Sequence, residues 1–112
     1  MKKKPEVHLF IDSSDPKKAT VSIQRGNDVF EVAAKRERTA QAILPMIDRL
    51  LSDYGIKLVD ITRITVNTGP GSFTGLRVGV AIAATLGYFL NIPVNGHMLP
   101  HEITISYKNS RW

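Results

Sequence analysis

The stretch Asn67-Thr68-Gly69-Pro70-Gly71-Ser72-Phe73-Thr74-Gly75-Leu76-Arg77 decides how this chain folds. A short β-like run, Ile64-Thr65-Val66, precedes it, and a long apolar run over residues 78–90 follows it. Three glycines and one proline within residues 69–75 predict a tight turn, because Gly reaches positive φ freely and Pro presets φ. The stretch therefore predicts a strand, then a turn that we call the glycine turn (residues 69–72), then a helix.

A turn of this kind can bind an anion, because the first N–H groups of a helix have no partner inside the helix. The pattern matches neither G-x-x-x-x-G-K-[ST] nor G-x-G-x-x-G, so neither common nucleotide fingerprint is present. The alternative is a plain connection whose small residues allow close packing. The end of the first predicted strand should lie at the same edge of the sheet as this turn. The candidate phosphate-binding residues are Asp12, Ser13, Gly69, Gly71 and Ser72.

The composition is that of one small globular domain, with 112 residues, 43% apolar and 22% charged. No cysteine is present, which excludes disulfides and a thiol nucleophile and favours a reducing, cytoplasmic location. The N-terminal residues do not resemble a signal peptide. A net charge of +5 allows RNA as a partner, but the basic residues are scattered, and solvated loops are the simpler explanation.

The first third of the chain predicts a three-stranded antiparallel meander. The run Val7 to Ile11 is apolar, as in a buried strand, and His8 within it is interpreted as a satisfied core or edge residue. Two further runs, over residues 19–23 and 29–33, alternate with period two and are separated by a hairpin turn. Asp12 follows the first strand, where it is either a ligand or a turn-forming residue that bonds to its own backbone.

A first helix is predicted from about Thr39 to Tyr54, because apolar residues recur there at the i, i+3, i+4 spacing of one face. Pro45 lies inside this pattern, where it should remove one hydrogen bond and can kink the helix. Gly55 should end the helix. A connection over residues 57–61, with a short turn of helix, then leads to a fourth strand over residues 64–66.

A second helix is predicted from Ser72 or Phe73 to Leu90, and Val94 should begin a fifth strand. Apolar residues cover almost the whole circumference of this helix, although one face is enough to pack on a sheet. Small residues recur at every fourth position and predict a groove that another helix can approach closely. These small residues are Gly75, Gly79, Ala83 and Gly87.

Three interpretations fail on the residues that they need. A ribonuclease H-type nuclease needs several carboxylates on two metal ions, and only Asp12 stands well placed at the end of a predicted strand. A G-x-S-x-G nucleophile elbow needs glycines at the positions of Pro70 and Thr74, so Ser72 is better interpreted as a helix N-cap. A membrane helix needs about 20 apolar residues, and Pro93 interrupts the run too early.

The predicted order is three antiparallel strands, helix, strand, helix and strand. A strand–helix–strand crossover implies parallel neighbours. A mixed five-stranded α/β sheet with helices packed over it satisfies these rules. This order resembles the ribonuclease H-like arrangement, which is the half-domain of the actin-like and Hsp70-like (ASKHA) ATPases.

The central stretch resembles the G-P-G-S-F-T-G-L-R-[IV]-G signature of the TsaB (YeaZ-like) family, which belongs to the pathway that makes threonylcarbamoyladenosine in tRNA. Phe10-Ile11-Asp12-Ser13-Ser14 resembles the family's opening I-D-T-S. Ile43-Leu44-Pro45-Met46-Ile47 resembles its L-L-P-x-I, which accounts for the proline inside the first helix. Leu90-Asn91-Ile92-Pro93-Val94 resembles its L-G-I-P-[LV], so that the resemblance extends over about residues 6–97.

The resemblance implies a non-catalytic protein with an actin/Hsp70-like half-domain. It implies a heterodimer with a TsaD-like threonylcarbamoyltransferase, a TsaE-like ATPase as a further partner and a homodimer when alone, with tRNA only an indirect partner and no membrane. No cofactor or metal is required, and ATP or ADP is expected only at an interface with a partner. The implied interface lies on the two helices, and we assign to it Ile43, Ile47, Leu76, Gly79, Val80, Ala83 and Gly87.

The chain departs from the family pattern after the fifth strand. Family members have a second domain there, whereas we predict a single TsaB-like domain over residues 1–97 and a tail over residues 98–112. Thr39-Ala40 also stands where members often have His-Ser. The absence of a cleft between two half-domains weakens the alternative function, a stand-alone nucleotide- or phosphate-binding ATPase fragment. A third hypothesis, direct tRNA binding, depends on the basic excess.

Overall fold

The computed structural model describes residues 5–35, 39–71, 73–100 and 103–106. Three strands come first, β1 (Val7–Asp12), β2 (Lys18–Arg25) and β3 (Asp28–Lys35). They are followed by helix α1 (Thr39–Asp53), a 3₁₀ turn (Leu58–Asp60), strand β4 (Arg63–Val66) and helix α2 (Phe73–Leu90). The predicted order of elements is confirmed up to the end of α2.

The four strands form one mixed sheet in the order β3-β2-β1-β4. β1 and β2 are antiparallel, as are β2 and β3, and Leu9 lies opposite Ile23. β4 is parallel to β1, as the crossover through α1 predicts, and Ile64 lies beside Leu9. Parallel pairing brings the carboxyl ends of β1 and β4, and with them Asp12 and Asn67, to the same edge of the sheet.

The prediction of a fifth strand is wrong, because in the described residues Val94 forms only a single parallel bridge with Ile64. Asn95 and Gly96 then adopt positive φ values of 50° and 85°. These conformations turn the chain back, so that Val94 pairs with His97 instead of leading into a longer strand. The backbone conformation after the bridge therefore limits the sheet to four strands.

The core lies between one face of the sheet and the two helices. Alternate residues of β2 face the helices, which is the physical basis of its period-two pattern, and β1 also packs Val7, Leu9 and Ile11 on this face. The sheet contributes Val7, Leu9, Ile11, Ala19, Val21, Ile23, Ile64 and Val66 to this core. The helices contribute Ile43, Met46, Ile47, Leu50, Leu51, Leu76, Val80 and Ala83.

Both helices end in a left-handed residue, which directs the chain back towards the sheet. At the end of α1, Gly55 has φ +64° and the Ile56 N–H donates to the Leu51 carbonyl at 2.9 Å, as in a Schellman motif. At the end of α2, Asn91 has φ +58° and the Ile92 N–H donates to the Gly87 carbonyl at 3.0 Å in the same way. The helix stop predicted at Gly55 is confirmed, and α1 runs through Pro45 as one helix.

Candidate functional site

The carboxyl ends of β1 and β4 bring the polar residues Asp12, Ser14 and Asn67 together. Asp12 Oδ1 accepts hydrogen bonds from the Ser14 N–H at 3.0 Å, the Ser14 hydroxyl at 2.6 Å and Asn67 Nδ2 at 3.2 Å. Burial acts against ionisation of Asp12, but these hydrogen bonds and the charge of Lys18 lower the pKa of its carboxyl below the ordinary value. Asp12 is therefore a carboxylate that organises the turn after β1.

A cavity of about 580 Å³ lies beside this cluster, on the face of the sheet opposite the helices. Among the described residues, its lining includes the carboxylates of Asp12 and Glu31 and one cation, Lys18. From these described residues a phosphate group would meet more negative than positive charge, which does not favour an anionic ligand. The other lining residues are Phe10, Ile11, Thr20, Ser22, Thr65 and Asn67.

The glycine turn packs closely against the chain's own backbone. A side chain at Gly69 would overlap the Ser106 carbonyl group, and a side chain at Gly71 would overlap Ser14. The Gly69 N–H donates to Asn67 Oδ1 at 2.8 Å, so this donor already has a partner. Close packing accounts for both glycines, and phosphate binding at this turn stays a prediction.

Ser13, another predicted phosphate-binding residue, packs against α2. Its side chain is 1% exposed, and its hydroxyl donates to the Gly75 carbonyl at 2.6 Å. A side chain at Gly79 would overlap this hydroxyl, so position 79 requires the absence of a Cβ. Ser13 thus holds the end of β1 on the first turn of α2. The last predicted phosphate-binding residue, Ser72, lies outside the described residues.

The residues that the sequence analysis assigned to a helical interface lie inside this chain. Ile43, Leu76 and Ala83 are fully buried, and the remaining apolar members of the set are at most 9% exposed. A side chain at Gly87 would overlap Val94, so this end of the small-residue row is also covered by the chain itself. The expected groove is therefore filled from within. The set comprises Ile43, Ile47, Leu76, Gly79, Val80, Ala83 and Gly87; their contact with a partner stays a prediction.

Large apolar side chains are exposed on the other side of the two helices. Leu44 is 54% exposed, and Tyr88 and Phe89, near the end of α2, are 70% and 77% exposed. A groove of about 190 Å³ lies between α1 and α2, and one of about 520 Å³ includes Tyr88 and Phe89. We define the outer helical surface as Leu44, Ala81, Ile82, Thr85, Leu86, Tyr88 and Phe89.

The sequence analysis noted the surplus of apolar residues on this helix but did not name the residues of the outer helical surface, because it chose interface residues along the row of small residues. The signal for these residues is that surplus itself, since apolar residues cover more of α2 than one sheet can bury. Small residues on a helix indicate where another part of the chain packs closely against its backbone. Large apolar residues that the sheet does not bury indicate an exposed surface.

His8 is satisfied within the sheet, as the sequence analysis predicted. It is 8% exposed, its Nε2 lies 2.6 Å from Thr65 Oγ1, and its ring stacks on Phe10 with ring centroids 3.9 Å apart. Burial lowers the pKa of the imidazole, the nearby Arg63 charge lowers it further, and Glu6 opposes this. The geometry favours a neutral ring that supports strand pairing.

The described residues contain neither a metal-binding cluster nor a membrane-spanning helix. No group of three or more His, Cys, Asp or Glu side chains in residues 5–35, 39–71, 73–100 and 103–106 could hold a metal ion. Over those same ranges, neither helix combines the length and apolarity that crossing a bilayer requires. The described part of the chain thus has two features that could bind another molecule, the cluster around Asp12 and the outer helical surface.

Residues 30–104 match the family model described as TsaD, tRNA N6-adenosine threonylcarbamoyltransferase. The tRNA threonylcarbamoyladenosine biosynthesis protein TsaB of Haemophilus influenzae is 34% identical over 86 residues, which are 77% of this chain and 36% of that protein. The protein of the same name in Escherichia coli is 44% identical over 70 residues, which are 62% of this chain and 29% of that protein.

The fold is similar to that of YeaZ from Pseudomonas aeruginosa, a solved structure. The TM-score is 0.75 at 29% identity, and the match covers 80% of this chain and 42% of the YeaZ chain. This chain therefore spans less than half the length of the relatives that it matches.

Proposed function

This chain belongs to the TsaB (YeaZ-like) family, and we propose that it is a non-catalytic scaffold and dimerisation subunit in tRNA threonylcarbamoyladenosine modification. Its fold is the ribonuclease H-like half-domain of the actin-like and Hsp70-like proteins. The proposed partner is a TsaD-like threonylcarbamoyltransferase, which a TsaE-like ATPase joins, and tRNA is engaged only through that complex. The observation that carries the proposal is the outer helical surface on a chain whose relatives are named for this pathway.

The outer helical surface has the properties of a protein interface. Aromatic side chains are enriched at interface cores, and Tyr88 and Phe89 are mostly exposed here. The grooves beside them can accept side chains of a partner helix that packs across α1 and α2. Burial of such side chains stabilises a complex by removing apolar area from water. The same surface would support a homodimer when the TsaD-like partner is absent.

The polar cluster supports the non-catalytic part of the proposal. Asp12 Oδ1 accepts hydrogen bonds from Ser14 and Asn67, and the Ser13 hydroxyl donates a hydrogen bond to the Gly75 carbonyl in α2. These are structural roles, and the described residues that line the adjoining cavity do not favour phosphate. In this proposal the chain itself requires no cofactor, and ATP or ADP binds only where a partner completes a site. The cytoplasm is the expected location.

The test is heterodimer formation with a TsaD-like protein from the same organism, measured by co-purification and by titration of the two purified proteins. Phe89→Asp places a charge in the outer helical surface and should weaken binding at least about tenfold, because a desolvated aromatic anchor is replaced by an unpaired charge. Val59→Asp is the matched control, since Val59 is 74% exposed and lies in the 3₁₀ turn instead. Its binding should equal that of the wild type.

Two results would contradict this proposal. If the wild-type chain forms no complex with the TsaD-like protein, the partner assignment is lost. If Phe89→Asp binds as well as Val59→Asp, the partner does not use the outer helical surface. Circular dichroism of both variants checks that each remains folded, as is expected of substitutions at exposed positions.

A further inference from the structure

The outer edge of β4 is closed by residues that follow α2. β4 is an edge strand of the sheet, so its backbone groups on that side would pair with another strand if one were present. The Ile64 N–H donates to the Pro93 carbonyl at 3.0 Å, and the Ile64 carbonyl accepts from the Asn95 N–H at 2.9 Å. Further along, the Thr68 carbonyl accepts from the Ser106 N–H at 2.7 Å.

Between Ile64 and Thr68, the Asn95 side chain pairs with the backbone of β4 as a neighbouring strand would. The Val66 N–H donates to Asn95 Oδ1 at 2.8 Å, and Asn95 Nδ2 donates to the Val66 carbonyl at 3.1 Å. A carboxamide carries the same donor and acceptor as a peptide group, so it can satisfy both backbone groups of Val66 at once. This pairing joins residues 29 positions apart in the sequence, and no other side chain type of similar size offers both groups.

The residue that closes the edge is also placed for a chemical reaction. Asn95 and Gly96 form the two-residue turn of a tight hairpin, in which Val94 and His97 exchange backbone hydrogen bonds at 2.9 and 3.0 Å. Asparagine is a thermolabile residue, because the backbone nitrogen of the next residue can attack its Cγ. Gly96 has no side chain to hinder attack by its own nitrogen, and nothing described lies within 4 Å of where its Cβ would be.

We propose that Asn95-Gly96 is a latent deamidation site, protected by the pairing of Asn95 with Val66. In the reaction the Gly96 nitrogen bonds to Asn95 Cγ and loses its proton, ammonia leaves, and a cyclic imide forms. Water then opens the imide to aspartate or isoaspartate, with no oxidant or reductant required. While both hydrogen bonds to Val66 hold the carboxamide, Cγ is kept from the Gly96 nitrogen, so the edge must open before the reaction proceeds.

Deamidation would prevent the edge from closing again. An aspartate carboxylate has no N–H to donate and would face the Val66 carbonyl, so two acceptors would meet without a proton between them. Isoaspartate also lengthens the backbone of the turn by one carbon. The modified chain would therefore carry an unpaired backbone group on an edge strand, which is the kind of edge that promotes pairing between chains.

The first experiment follows deamidation of the purified protein by peptide mapping with mass spectrometry, in buffer and in urea at mildly alkaline pH. Asn95 should convert in urea, and conversion in buffer should be slower on the order of tenfold or more, as loss of two hydrogen bonds before reaction requires. Asn91 is the internal control, because Ile92 follows it and its branched side chain hinders the attack. Equal rates at Asn95 in buffer and in urea, or no conversion in urea, would overturn the proposal.

The second experiment tests the role of the carboxamide with Asn95→Gly, which removes both hydrogen bonds to Val66 and still tolerates the positive φ of this position. Hydrogen exchange at the Val66 amide should become faster on the order of tenfold relative to the wild type at the same pH. The Asn67 amide is the reference, because it donates to the Ile11 carbonyl at 2.9 Å on the inner side of β4 and should change little. Unchanged exchange at Val66 would show that the carboxamide does not hold the edge and would overturn the proposal.

Discussion

The two sides of α2 carry different kinds of residues and meet different surroundings. On the inner side, Gly79 and Gly87 allow Ser13 and Val94 to approach the helix backbone. On the outer side, Tyr88 and Phe89 are 70% and 77% exposed. Small residues thus mark a contact already made within the chain, and large exposed ones mark a surface that remains available.

This difference changes how a row of small residues is interpreted in a short chain. Glycines at every fourth position of a helix permit close approach, but they do not say what approaches. In this protein Ser13 and Val94 pack against that row, and the partner surface that we propose lies on the other side of the same helix. Substitutions on the two sides should therefore affect different properties, folding on the inner side and association on the outer side.

The largest effect on the free energy of unfolding is expected when a charged side chain is placed on the inner side of α2. Gly79→Asp should lower the free energy of unfolding by about 3–5 kcal/mol, because it places an unpaired charge in a buried position that overlaps Ser13. Ala81→Asp, on the exposed side of the same helix, should change it by less than about 0.5 kcal/mol. Urea unfolding of both variants measures the difference. A folded, monomeric Gly79→Asp variant would instead support the interface predicted from the sequence.

A smaller effect on the free energy of unfolding is expected when a hydroxyl group that donates to a backbone carbonyl is removed from either side of α2. Ser13→Ala removes a buried hydrogen bond to the Gly75 carbonyl and should cost about 1 kcal/mol of unfolding free energy. Thr85→Ala removes an exposed hydrogen bond to the Ala81 carbonyl, 2.8 Å long, and should cost close to nothing, because water replaces it. Equal losses in urea unfolding would mean that burial does not distinguish the two sides.

The smallest effect on the free energy of unfolding is expected when the pH is lowered. Protonation of Asp12 then weakens the turn after β1 that carries Ser13. Because the pKa of Asp12 is lowered on folding, the native state binds fewer protons than the unfolded state as the carboxyl titrates. Its contribution to stability is therefore present at neutral pH and lost as the pH falls through the ordinary carboxyl range, about 4, towards the lowered pKa.

Asp12→Asn tests this contribution, with urea unfolding midpoints measured from neutral pH down to about pH 3. The difference in stability between the wild type and the variant should shrink as the pH falls. Asp48→Asn, which removes an exposed carboxyl from α1, is the matched control. A difference between the wild type and Asp12→Asn that stays constant over this range would show that the carboxylate does not stabilise the turn.

Several elements could be predicted because their causes are local. Period-two alternation predicted β2 and β3, and the left-handed preference of glycine predicted the stop at Gly55. The fifth strand was predicted wrongly, although a signal against it was present. Asn95-Gly96 is a strong hairpin turn sequence, and it explains why pairing with β4 ends at Val94.

The sequence by itself determined the strand, glycine turn and helix around residue 69, and with them the family. Only the tertiary structure decided which side of α2 is buried, because apolar residues surround that helix and its periodicity does not choose a face. The choice depends on contacts between residues far apart in the chain. Ser13 and Gly75 are 62 positions apart, and a hydrogen bond over such a distance forms only when the whole sheet has brought both ends together.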